Sequence, residues 1–143
     1  MLQLVDEDQK IIGDCYRTAL ACILDRDPSE VPHFAESTWY DADARRWLVE
    51  HYGLTLVRTR VQSLANGWQL DLEKGRQDVY HLVIGRTARG TLHACVGLNG
   101  KVVWDPHPSR SGLTEIIEFE FLVPLNYANL RCVTPTDNSG TDG

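Results

Sequence analysis

A chain of 143 residues with 43% hydrophobic and 24% charged residues has the length and composition of one soluble globular domain, long enough to bury roughly two-thirds of its unfolded surface without staples. Fourteen basic against twenty acidic residues leave a net charge of −6, which opposes a nucleic-acid backbone and argues against broad nucleic-acid binding. No apolar run approaches the ~20 residues of a membrane span, and the N-terminal MLQLVDEDQK has no signal-like core.

In chain order, Gly13 and Asp14 signal a helix start. The CYRTALACILD that follows carries Tyr16, Ala19, Leu20, Ile23 and Leu24 at i, i+3, i+4, i+7, i+8 spacing, a stripe that predicts a helix packed on a core. Asp27, Pro28 and Ser29 predict a break and a new helical turn. A second helix is expected from Ala42 to Tyr52, with Asp41 as its cap, Gly53 as its stop, and Trp47, Leu48 and Tyr52 on its buried face. LTLVRTRV from Leu54 predicts a strand, and residues 62–78 form a polar stretch of undecided structure.

VYHLVIG, TLHACVGL and KVVWD are short β-rich runs. The last two are separated by Asn99-Gly100, a strong hairpin signal because both residues tolerate the positive φ of a type I′ turn. IIEFEFL, with Ile117, Phe119 and Phe121 alternating against Glu118 and Glu120, predicts a further strand. Helices first and an antiparallel sheet afterwards define an α+β domain over residues 1–133, and the polar 134–143 segment is expected to be a flexible tail. The arginine pairs Arg58/Arg60 and Arg86/Arg89 read as solvated faces.

Cys15, Cys22, Cys95 and Cys132 include no CxxC pair and no secreted-domain spacing. Neither a disulfide framework nor a zinc knuckle is indicated, and a reducing, cytoplasmic setting is expected. Cys15 stands at a helix start, where free N–H groups and the macrodipole favour the anionic thiolate that a nucleophile requires. Cys22, seven residues further along the helix, reads as packing.

In TLHACVGL, Leu92, Ala94, Val96 and Leu98 alternate onto one face and His93, Cys95 and Gly97 onto the other. His93, pointing away from the aliphatic face, could meet a helix terminus docked there. A zinc set of Cys15, His93 and Cys95 lacks a compact ligand pair. Across the Asn-Gly turn, partners sum to about 199, so Asp105 falls near His93 and could fix its tautomer; taken singly, Asp105 is also an Asp-Pro turn residue. His107 and His81 compete for the base role, while His33 and His51 read as structural or surface. The Cys15 backbone N–H, with Gln9 as a second donor, could stabilise an oxyanion, although Gln9 alone is a surface residue.

The order Gln9, Asp14-Cys15, His93, Asp105-Pro106 resembles papain-like cysteine peptidases, above all the domain that removes double-glycine leaders from bacteriocin precursors. GDCYRTALACIL, VPHF and HACVGLNGKVVWDPHPS also resemble small stand-alone proteins of bacteriophages and bacteria. The resemblance spans residues 9 to about 110 and implies a papain-like fold with Gln9 in the oxyanion hole, Cys15 as nucleophile, His93 as base and Asp105 as orienter. It departs in having Tyr16 where the leader peptidases have Gly, and in lacking their transporter.

The expectation is a cysteine hydrolase cleaving an amide, peptide or isopeptide bond through a thioester, acting on a protein or peptide with no metal and no cofactor. Acyl transfer, or a non-catalytic module gripping a host protein, are the alternatives.

Overall fold

The computed structural model describes residues 4–34, 40–60 and 78–126. Cys132, the 134–143 tail and all of the 62–78 stretch but Asp78 lie outside them. Among the described residues two helices, α1 (Asp14–Leu24) and α2 (Tyr40–Tyr52), precede five strands: β1 (Leu54–Arg60), β2 (Tyr80–Arg86), β3 (Leu92–Leu98), β4 (Lys101–Trp104) and β5 (Glu115–Pro124). The strands form one antiparallel sheet in the order β1-β5-β2-β3-β4. The expected α+β arrangement, helices on an antiparallel sheet, is what the chain adopts.

Gly13 begins α1 in the left-handed region, φ 76°, a conformation open to Gly at no steric cost. Asp14 then locks the preceding loop to the helix. Its Oδ2 accepts the Asp8 backbone N–H at 2.7 Å and the Thr18 hydroxyl at 3.1 Å, and its Oδ1 pairs with Arg17 at 2.6 Å. The buried face of α1 comprises Asp14, Cys15 and the run Thr18 to Cys22, so it is broader than the expected stripe, and Tyr16, Ile23 and Leu24 are only half-buried. The Asp27–Ser29 break becomes a 3₁₀ turn at Pro28–Glu30, capped by Asp27.

Ala19, Leu20, Ala44 and Leu48 of the helices pack on Leu56, Leu82, Ala94 and Val96 of the sheet. The helices therefore cover the aliphatic face of β3, not the face that carries His93. On the opposite face Val83, Cys95 and Phe119 form a second cluster. Fully burying side chains such as Leu20 and Leu82 contributes about 1.5–3 kcal/mol each.

The β3–β4 hairpin turns on Asn99 and Gly100, with φ 52° and 88°, as the Asn-Gly signal predicts. Leu98 pairs with Lys101 and Gly97 with Val102, following the expected sum of 199. An irregularity then places Trp104 opposite Val96. This extra residue reverses which side chains of β4 share a face with those of β3: Trp104 joins the helix-side core, and Asp105 comes onto the face of Cys95 and His93.

Candidate active site

Cys15 is the second residue of α1, and Gly13 supplies no side-chain cap. First-turn backbone N–H groups lack helical acceptors, and the helix dipole presents its positive end there. The residue is 8% exposed and lines a cavity of about 250 Å³ together with Tyr16, Leu92, His93, Glu118 and Glu120. The N-terminal end of α1 thus reaches the beginning of β3. There Cys15 Sγ, a ring nitrogen of His93 and a carboxylate oxygen of Glu7 all lie within 4.8 Å of one another.

His93 Nε2 hydrogen-bonds Asp105 Oδ1 at 2.6 Å, with both residues buried. Nδ1 is thereby left as the nitrogen available to Cys15. Asp105 is held in turn: Oδ1 also accepts the His107 backbone N–H at 2.9 Å, and Oδ2 accepts that of Gly112 at 2.7 Å. Burial alone would lower the His93 pKa, but the Cys15 and Cys95 thiols and the Asp105 carboxylate outweigh it and push it up to about 11. Burial would raise the Asp105 pKa, and its bonds to His93 and the two backbone N–H groups bring it below the usual carboxylate value. The imidazole sits in an environment that favours its charged form.

The loop before α1 is tied to the segment after β4. Trp104 Nε1 donates to the Val5 carbonyl at 2.9 Å, the Glu7 backbone N–H donates to the Pro106 carbonyl at 2.9 Å, and Arg110 pairs with Asp6 while lying 4.0 Å from the Trp104 ring centroid. These links bring Glu7, half-buried, against the Cys15 and His93 side chains, and burial raises its pKa against the opposing charge of His93. Gln9 is exposed, and its amide donates to Glu7 Oε1 at 3.3 Å. Cys15, His93 and Asp105 are brought together, whereas Gln9 is held beside Glu7 and does not line the cavity.

Tyr16 OH donates to Glu120 Oε1 at 3.1 Å, and Arg58 Nε donates to Glu120 Oε2 at 3.2 Å while the guanidinium also pairs with Asp41. Burial and the neighbouring Glu120 charge raise the Tyr16 pKa; burial, opposed by Arg58, raises that of Glu120. Arg58 is thus an exposed residue whose guanidinium also serves as an ion-pair centre.

The competing histidines have other work. His81 is fully buried, with Nδ1 against the Leu82 carbonyl at 3.2 Å and Nε2 accepting the Gly100 backbone N–H at 2.9 Å. It braces the Asn-Gly turn. His107 stands at the rim, 6.3 Å from the His93 ring centroid, with Nδ1 against Ser109 Oγ at 2.8 Å. His51 stacks on Trp47 at 5.1 Å, and His33 bonds the Ile12 carbonyl at 3.0 Å.

Cys22 is core, as expected. The metal-type sets among the described residues are Glu7, Cys15, His93 and, separately, His93, Cys95, Asp105. Sequence reading missed Glu7, which nothing in DEDQ marks out; only its position one alternation from Gln9 could have hinted at it.

No family model, curated protein or solved structure matches this chain. Among the described residues, no helix is long and apolar enough to cross a membrane.

Proposed function

We propose that the protein is a papain-like cysteine hydrolase that cleaves an amide, peptide or isopeptide bond through a thioester on Cys15. The observation that carries this reading is the position of His93, with one ring nitrogen on buried Asp105 at 2.6 Å and Cys15 Sγ within 4.8 Å. A base within reach of a nucleophile and itself oriented by a third group is the arrangement nucleophilic catalysis requires, and such contacts tighten when substrate binds.

In the proposed cycle the Cys15 sulfur attacks the carbonyl carbon, and the oxyanion is stabilised by first-turn N–H groups of α1 and by Gln9 after its amide leaves Glu7. His93 protonates the departing amine as the C–N bond breaks. It then takes a proton from water as the hydroxide attacks the thioester, and the acid departs with Cys15 restored. Asp105 keeps Nε2–H engaged, so Nδ1 carries every transfer. The cycle needs a reduced sulfur, and Cys15, Cys22 and Cys95 are all free thiols; a reducing, cytoplasmic setting and a protein or peptide substrate follow from the same reading.

Mixing the reduced protein with p-nitrophenyl acetate tests acyl-enzyme formation without knowledge of the natural substrate. A burst of nitrophenol close to one equivalent, with an acetyl group on Cys15 by mass spectrometry and no burst in Cys15→Ala, is expected. A folded protein with no Cys15-dependent burst would overturn the proposal.

A further inference from the structure

We propose that Glu7, Cys15 and His93 form a binding site for a zinc-like divalent cation that occupies the nucleophile. The binding itself is independent of the hydrolase reading; only the resulting loss of activity rests on it.

The three side chains offer one sulfur, one nitrogen and one oxygen, all within 4.8 Å of one another. Mixed thiolate, imidazole and carboxylate donors suit Zn²⁺ and its neighbours, and hard cations such as Mg²⁺ prefer all-oxygen sites. His93 is prepared as a ligand in the manner of metal-bound histidines, because its other nitrogen is hydrogen-bonded to Asp105 at 2.6 Å. Asp105 is pinned by the His107 and Gly112 backbone N–H groups, so ring orientation is set before any ion arrives. Cys15 and His93 line the open cavity, which leaves a fourth position for water, the pattern of sites with three protein ligands.

Charge favours the same occupant. A carboxylate beside a nucleophilic sulfur places two potential anions side by side, and a dication removes that conflict. On binding, the ion takes the place of the proton between Cys15 and His93, and this proton is released to solvent. The second set does not compete. His93, Cys95 and Asp105 are all buried, and the 2.6 Å contact already fills the space between His93 and Asp105.

The test is titration of the reduced, metal-free full-length protein with Zn²⁺ by calorimetry, and with Co²⁺ by absorbance, in a phosphine reductant. One equivalent should bind with proton release, and Co²⁺ should give a thiolate-to-metal band in the near ultraviolet. Glu7→Gln should weaken binding about tenfold or more, and Asp105→Asn roughly ten- to a hundredfold. Cys15→Ser, or prior alkylation of Cys15 in the unmutated chain, should remove the band, and Cys95→Ala should leave it. Absence of binding, a band that survives Cys15 alkylation, or affinity unchanged by Glu7→Gln in a folded variant overturns the proposal.

Discussion

His93 and Asp105 are joined by a 2.6 Å Nε2–Oδ1 hydrogen bond that exists because β4 carries one extra residue. In an unbroken antiparallel ladder of the same turn, Gly97 opposite Val102 would place Asp105 opposite Ala94, on the helix-covered face. The irregularity between Val96 and Gly97 moves it to the face of His93, an example of a bulge re-aiming a side chain beside a site.

Replacing Asp105 with Asn should therefore leave the fold intact but remove the carboxylate that orients the His93 ring and stabilises its imidazolium. The expected outcome is a fall of roughly 10²- to 10⁴-fold in the rate of Cys15 acylation, measured as the burst rate with p-nitrophenyl acetate. Circular dichroism should be unchanged.

The protonation of His93 can be followed directly. With its pKa pushed up to about 11, the ring should remain an imidazolium across the neutral range. Since Cys15 is the first of the contacts that outweigh burial, Cys15→Ala should bring the His93 midpoint down. Ring NMR against pH checks both statements, and a midpoint near 6.5 in the unmutated protein would contradict them.

His81 makes the opposite prediction for stability. Burial holds its folded-state pKa below the ordinary imidazole value of about 6.5, so the unfolded chain takes a proton first as pH falls. Its neutral packing thus contributes fully above about pH 6.5 and is lost as pH drops through the folded value. Urea unfolding of His81→Gln against the unmutated protein should show a gap that narrows between about pH 7 and 5.

Gly97 should be intolerant of even a methyl group. A Cβ there would stand 2.4 Å from His81 Cε1 and 2.6 Å from Val83 Cγ2, and both neighbours are fully buried. Gly97→Ala is expected to cost about 1–3 kcal/mol, read as a shift in the urea midpoint with an unchanged slope. Gly90→Ala serves as the comparison: a Cβ there would meet no atom within 4 Å, and the strain of its φ of +79° is confined to an exposed turn.

Much of this was legible in the sequence, for identifiable reasons. Asp14-Cys15 after Gly13 marks a helix start that only local chemistry decides, and Asn99-Gly100 fixes a hairpin whose first two pairs obey simple arithmetic. The face of α1 was less legible, because Cys22 and Ala21 are small enough to pack on either side of the expected stripe. The docking of the helices on the aliphatic face of β3 depends on the whole sheet. The bulge at β4 leaves no mark in KVVWD, and the roles of Glu7 and of the Arg58 ion pairs arise from contacts between segments distant in the chain. Gln9, expected as an oxyanion donor, bonds Glu7, whose carboxylate lies within 4.8 Å of Cys15 Sγ, a local link invisible in spacing.

The most direct test of a sulfur activated by His93 is the alkylation of the reduced protein by limiting iodoacetamide at about pH 6, mapped peptide by peptide. Cys15 should react first among the four cysteines, and its rate should fall about tenfold or more in His93→Gln. Equal labelling of the four thiols, or a Cys15 rate indifferent to His93, would contradict the account.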